Sequence, residues 1–288
     1  MKQVPNLNEK THIGEVVLNV ENLQEMKLFY QTVIGMDIKF ETPSAVSFGA
    51  KEDQTILLTL QVVSANKPNV RSTGLYHLAL LLPTRQDLGE MLYHLLISGY
   101  PLTGASDHGY SEALYLDDPE GNGIEIYWDK PRSEWDIRSD GQIAGVTDPM
   151  DADSVIAEAK ETFSHLPSGS SIGHVHLFVA DLSETEAFYK NLLGFELKFD
   201  FGAQAKFFAA GEYHHQIGSN TWAGKGIPAA EKGTRGLAYY TIVVPVKEDF
   251  ARIQISLIEN QYEYQLDEED GVLSLEDPNG ITVKILQE

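Results

Sequence analysis

The chain contains no cysteine. Disulfide cross-links, thiolate metal sites and cysteine nucleophiles are therefore excluded. Basic residues are scarce: 21 Lys and Arg stand against 43 Asp and Glu, for a formal net charge of -22. A surface this acidic repels phosphate backbones and anionic bilayers, so neither nucleic acid nor membrane is expected as a partner. No apolar run approaches the roughly 20 residues that a bilayer span needs. Met1 to Asn6 carries no apolar signal core. These absences point to a cytoplasmic protein. Extensive disorder is not expected, because 42% of the 288 residues are hydrophobic. The length suits two domains of ordinary size.

What is present is a long internal repeat. Leu23, Phe29-Tyr30 and Gly35-Met36 return as Leu182, Phe188-Tyr189 and Gly194-Phe195, and Asp118-Pro119 with Gly121 returns as Asp277-Pro278 with Gly280. A repeat of this length is a duplicated domain and not a solenoid unit. Each half splits again, so four modules of β-α-β-β-β order are read. Modules one and two occupy residues 1–135, a Asp-, Ser-, Gly- and Pro-rich connector 136–170, and modules three and four 171–288. The connector is expected to hold a helix near Asp151 to Phe163. The class is α+β: small mixed sheets curl, and two modules together make an eight-stranded cup with helices outside and a ligand face inside.

Three polar residues break the repeat. His174 corresponds to Glu15, His77 to Tyr239 and Glu125 to Thr282. Strand alternation turns all three inward. In Ile172-Gly173-His174-Val175-His176-Leu177 the histidines share one face and the aliphatics the other, and in Ile124-Glu125-Ile126 the isoleucines pack outward. Two imidazoles and a carboxylate from three strands form the facial ligand set of a non-haem Fe(II) oxygenase, with open positions for a bidentate diol and dioxygen. His77, Glu125 and His174 are thus the candidate metal ligands, for one Fe(II) per chain. His174 lies in module three and the other two in module two, so modules two and three must share one cup and modules one and four the other. His215, read as lying in a strand of module three, and His108 and Tyr115 are candidate catalytic groups, since imidazoles shuttle protons near neutral pH and a phenol binds a substrate oxyanion. His176 could line the pocket. His214 reads as structural.

Gly173-His174-Val175-His176-Leu177 with Asp181-Leu182, Phe188-Tyr189 and Gly194-Phe195 resembles the opening of a vicinal-oxygen-chelate module (glyoxalase/bleomycin resistance/extradiol dioxygenase). Asp118 to Tyr127 resembles the end of one. The stretches Gly74-Leu75-Tyr76-His77, Asp107-His108 with Ser111 to Leu116, Lys130 to Trp135 and Tyr213 to Gly224 are similar to those of four-module catechol 2,3-dioxygenases. The resemblance implies the vicinal oxygen chelate fold, Fe(II), O2 and a catecholic small-molecule substrate cleaved beside its two hydroxyls. It also implies His77, His174 and Glu125 as iron ligands and His215, His108 and Tyr115 as the groups around them. A homo-oligomer is compatible with it. Two other readings stand beside it: a metal-dependent glyoxalase-like isomerase or fosfomycin-resistance-like transferase, and a metal-free binding protein.

Overall fold

The computed structural model describes residues 6–63 and 71–288. Residues 1–5 and 64–70 lie outside the described residues. Module one contains β1 (His12–Val20), α1 (Leu23–Thr32), β2 (Asp37–Thr42), β3 (Ala45–Gly49) and β4 (Leu58–Val62). Module two contains β5 (Gly74–Leu81), α2 (Arg85–Ser98), β6 (Gly104–Asp107), β7 (Ser111–Asp117) and β8 (Gly123–Asp129). The connector holds β9 (Asp136–Ile137), β10 (Ile143–Ala144), β11 (Asp148–Pro149) and α3 (Ala152–Ala157). Module three contains β12 (Ser171–Phe178), α4 (Leu182–Glu186) running into a π-helical stretch Ala187–Leu193, β13 (Glu196–Asp200), β14 (Ala205–Ala209) and β15 (Ile217–Asn220). Module four contains β16 (Gly236–Val244), α5 (Lys247–Glu259), β17 (Gln265–Asp267), β18 (Val272–Glu276) and β19 (Thr282–Gln287).

The helices start and stop where their sequences dictate. The Asn22 side chain accepts from the Glu25 amide to cap α1. Thr84 and Asp87 form a capping box on α2, which ends at Gly99 with φ 69°. The connector helix α3 stops at Ala157 and does not reach Phe163.

Apart from β9 and β10, which pair with each other, the strands assemble into two curled mixed sheets. One runs β17-β18-β19-β16-β1-β4-β3-β2 and belongs to modules one and four. The other runs β11-β6-β7-β8-β5-β12-β15-β14-β13 and belongs to modules two and three, with β11 of the connector as a ninth strand. This is the crossed pairing that the inward trio requires. Within a module the first and last strands lie parallel, as for β5 with β8. The modules meet at antiparallel seams, β1 on β16 and β5 on β12.

The outer faces supply the core. Leu78 and Leu80 of β5, Val175 and Leu177 of β12 and Ile124 and Ile126 of β8 are buried with Leu88, Met91, Leu92 and Leu95 of α2 in one continuous cluster. Each such side chain contributes about 1.5–3 kcal/mol by leaving water. That packing fixes which face of each strand turns inward. The two sheets are also tied to each other. The Tyr30 hydroxyl of α1 donates to Asp118 Oδ2 at 3.0 Å, and one repeat later Tyr189 donates to Asp277 Oδ2 at 3.4 Å.

Candidate metal centre

Three buried strands converge at the seam between modules two and three. β12 brings His174 opposite Ala79 and His176 opposite His77. β8 brings Glu125 beside Ala79. The ladder is irregular between Ile172 and His174, where Gly173 is the extra residue. Only glycine fits there, because a Cβ on Gly173 would lie 1.7 Å from the Tyr127 hydroxyl. The bulge sets the phase that turns His174 into the cup.

The ligand atoms meet closely. His77 Nε2 lies 3.0 Å from Glu125 Oε2, His174 Nε2 lies 3.2 Å from the same oxygen, and the two Nε2 atoms are 3.3 Å apart. A facial set with metal–ligand bonds of about 2.1 Å at right angles has edges of about 3 Å, so the triangle has the size of such a site. All three side chains are buried. Among the described residues this is the group of three whose ligand atoms converge in this way.

The electrostatics keep the donors available. Burial alone would raise the Glu125 carboxyl, but His174 and His77 beside it hold it well below the ordinary carboxylate range. Burial pulls His174 down to about 4, against the pull of Glu125. An ionised carboxylate and a neutral imidazole are the forms that bind a cation.

The trio lies at the base of a cavity of about 650 Å³. His108, Tyr115 and His215 all line it. The Tyr115 hydroxyl and His108 Nε2 are 2.6 Å apart, and His108 Nδ1 lies 2.8 Å from the Val146 carbonyl. The carbonyl can only accept, so Nδ1 carries the proton and the phenol donates to Nε2. Burial, with Glu125 nearby, raises the Tyr115 phenol well above its ordinary value, so it stays protonated. His215 is buried, with its ring centroid 4.2 Å from that of His174. Burial drives its imidazole well below 6.5, which keeps it neutral.

Some expectations need correction. His215 does not sit in a strand: β15 begins at Ile217, and His215 lies in the irregular segment before it, between Phe207 and His174. The counterpart of Glu125 is Lys284 and not Thr282. Asp117 faces Gly123 in one hairpin and Glu276 faces Thr282 in the other, so two residues further on Glu125 matches Lys284. His77 pairs with Gly123 as the Tyr239 position does with Thr282, and Glu15 matches His174. In that other cup the Lys284 ammonium lies 3.8 Å above the Tyr239 ring.

The structure adds residues that the motifs did not single out. Tyr110 and Tyr213 hold the His214 ring between them, with centroids 4.3 and 4.1 Å away. Asp129 accepts from His214 and from Tyr213. Asp129 and Tyr127 follow Glu125 at steps of two on β8, so strand alternation could have found them. Phe199, Phe201, Phe207 and Trp222 form an aromatic wall of the cavity. His176 is buried, and its Nε2 has no partner among the described residues. It lines the same cavity.

Known proteins of one superfamily are similar to this chain. The family model of the Glyoxalase/Bleomycin resistance protein/Dioxygenase superfamily matches residues 12–126 and 171–285. The chain is 39% identical over 279 residues to the catechol-2,3-dioxygenase of Bacillus subtilis (strain 168), spanning 95% of this chain and 96% of that protein. It is 26% identical over 119 residues to biphenyl-2,3-diol 1,2-dioxygenase 3 of Rhodococcus globerulus, spanning 41% of this chain and 63% of that protein. Among solved structures, glyoxalase I from Zea mays matches with a TM-score of 0.58 at 16% identity, over 96% of this chain and 92% of that one. The cppA protein from Streptococcus pneumoniae TIGR4 matches with a TM-score of 0.54 at 15% identity, over 96% of this chain and 99% of that one. At such low identity these two speak for the fold alone.

Proposed function

The chain belongs to the Glyoxalase/Bleomycin resistance protein/Dioxygenase superfamily, and we propose that it acts there as an extradiol ring-cleaving dioxygenase that holds one Fe(II) and converts catechol-type substrates and O2 to 2-hydroxymuconic semialdehyde-type products. The observation that carries the reading is the 3.0–3.3 Å triangle of His77, His174 and Glu125 at the base of a cavity that also presents His215, His108 and Tyr115. Two imidazoles and one carboxylate suit Fe(II) and leave a face open. What such an ion supplies when bound is stabilisation of the ionised diol and an electron route to dioxygen.

The remaining chemistry belongs to the side chains. Glu125 and His174 offer lone pairs without first losing a proton, and His77 adds its Nε2 beside them. Tyr115, held neutral and lining the cavity with its hydrogen on His108, orients a substrate hydroxyl by accepting from it. His108 anchors that phenol by accepting its hydrogen bond. His215, neutral and bare on the cavity side, accepts a proton from the diol and returns it to the ring-opened product. The aromatic wall excludes water and stacks on the substrate ring.

The cavity also supports a substrate class. It is several times larger than an unsubstituted catechol needs, and among the described residues no Lys or Arg lines it. We therefore infer neutral catechols with apolar substituents, and not carboxylated ones. The absence of basic residues also weighs against a transferase for anionic substrates. We further propose residues 1–135 and 171–288 as the duplicated units, joined by 136–170, and a cytoplasmic role in aromatic hydrocarbon catabolism. Among the described residues no helix is long and apolar enough to cross a membrane.

The test is direct. Protein loaded with Fe(II) under anaerobic conditions is mixed with catechol, alkyl catechols and a carboxylated catechol, and then with oxygen. Expected are stoichiometric O2 uptake and a yellow product from the neutral substrates. Absence of both with every catechol tried would overturn the reading.

A further inference from the structure

A line of hydrogen bonds leaves the cavity behind His215. His215 Nδ1 lies 2.8 Å from His214 Nδ1, and His214 Nε2 lies 2.9 Å from Asp129 Oδ1. The other Asp129 oxygen accepts from the Tyr213 hydroxyl at 2.8 Å, and Tyr213 lies 2.7 Å from the Tyr127 hydroxyl. Tyr127 is fixed in turn against Gly173. Asp129 lines a second cavity of about 410 Å³ on the far side, away from the metal-binding trio.

The proton positions along this line follow from what each group can do. A carboxylate only accepts, so His214 Nε2 carries the proton. The short contact between two Nδ1 atoms needs one hydrogen, and with the single hydrogen of a His214 imidazole engaged at Nε2 the partner that supplies it is His215. A neutral His215 with hydrogen on Nδ1 has none on Nε2. We propose that Asp129 and His214 are positioning residues that set the tautomer of His215, leaving its Nε2 as a free acceptor toward the substrate. The arrangement has the logic of a carboxylate orienting a catalytic imidazole, with a second imidazole interposed. His214 is thereby more than packing: the two tyrosines that flank it hold its plane so that both nitrogens meet their partners. The inference rests on the reading of His215 as the proton-transfer group.

Two variants at one position separate this role from a structural one. His214→Asn places an acceptor oxygen about where Nδ1 was, but removes the ring. His214→Phe keeps an aromatic ring between Tyr110 and Tyr213 but removes the acceptor. With iron-loaded full-length protein and catechol, His214→Phe is expected to lower kcat by about 10²-fold, with KM and iron content little changed. His214→Asn is expected to stay within about fivefold of the parent in kcat, since the acceptor is restored. The tautomer is read independently by long-range ¹⁵N–¹H NMR of histidine-labelled full chain carrying diamagnetic zinc. His215 should be protonated at Nδ1 in the parent and in His214→Asn, and mixed in His214→Phe. If His214→Phe does not fold, Asp129→Ala serves instead, with a mixed His215 tautomer and a lowered kcat expected. Retention of kcat by the Phe variant with loss in the Asn variant would make His214 a packing residue and overturn the proposal. So would Nε2 protonation of His215 in the parent, or an unchanged tautomer in Asp129→Ala. A parent without ring cleavage would overturn the function proposed above, while the NMR reading would still decide the tautomer.

Discussion

The two cups have one topology and opposite chemistry. In the sheet of modules two and three, His174, His77 and Glu125 bring three lone-pair donors together. In the sheet of modules one and four, the same positions carry Glu15, Tyr239 and Lys284. Even the bulge is shared, since the β1–β16 ladder is irregular at Gly14, as the β12–β5 ladder is at Gly173. The difference lies in where the positive charge comes from. One cup concentrates ligand atoms that want a cation from solution. The other contains its own cation, with Lys284 over Tyr239 and near a Glu15 carboxyl that burial raises and that Thr59 and Lys284 lower only in part. Shared backbone geometry makes a place for a site, and three side chains decide whether it takes an ion.

The comparison can be broken hardest at Glu125. Glu125→Ala should remove the metal and lower turnover by more than about 10²-fold, since even losing a group that merely orients a ligand costs 10–100-fold. Lys284→Ala in the other cup should change neither, and metal analysis with oxygen uptake reads both. Next is His215→Ala, for which iron content should hold while kcat falls by about 10²-fold.

Acid is a third probe. His174 is held at about 4 against an ordinary 6.5, so the folded chain binds fewer protons than the unfolded one in between. The stability His174 contributes is full above pH 6.5 and is lost as pH falls toward 4, amounting to roughly 3 kcal/mol for the metal-free protein. The lowered Glu125 acts in the same direction at still lower pH. Urea unfolding of parent and His174→Gln at pH 7 and pH 4.5 checks this, and the variant should show the shallower loss. A fourth test grafts one cup onto the other. The triple variant Glu15→His, Tyr239→His, Lys284→Glu should bind one more equivalent of metal than the parent, and an unchanged stoichiometry would show that backbone position alone is insufficient. The smallest effect is expected at the ties between the sheets, where Tyr30→Phe and Tyr189→Phe should each cost about 1–2 kcal/mol in thermal or denaturant unfolding.

Much of this was legible before any coordinates. The repeat fixes the four modules, and strand alternation places His77, Glu125 and His174 on inner faces, from which the crossed sheets follow. The mistake over Thr282 has a physical origin. A slip of two residues along a strand keeps every side chain on its face, so facing alone cannot separate Thr282 from Lys284, and only the pairing across the hairpin does. His215 reads as a strand residue because the β-formers Tyr213 and Ile217 frame it, yet burial against His174 and Phe207 holds it outside β15. Asp129 and His214 are 85 residues apart. Their bond is a product of the fold and leaves no local pattern in the chain.

The seams β5–β12 and β1–β16 each join the first half of the chain to the second. Neither 1–135 nor 171–288 therefore completes a cup, and each half alone would present unpaired strand edges. The molecule is in effect a two-chain swap made permanent by its connector, which turns association of the halves into an intramolecular event at high effective concentration. His77 and Glu125 come from one half and His174 from the other. An ion at this site would be a staple across that swap, binding the assembled form and not the parted one, and so would add its own binding free energy to the cohesion of the halves.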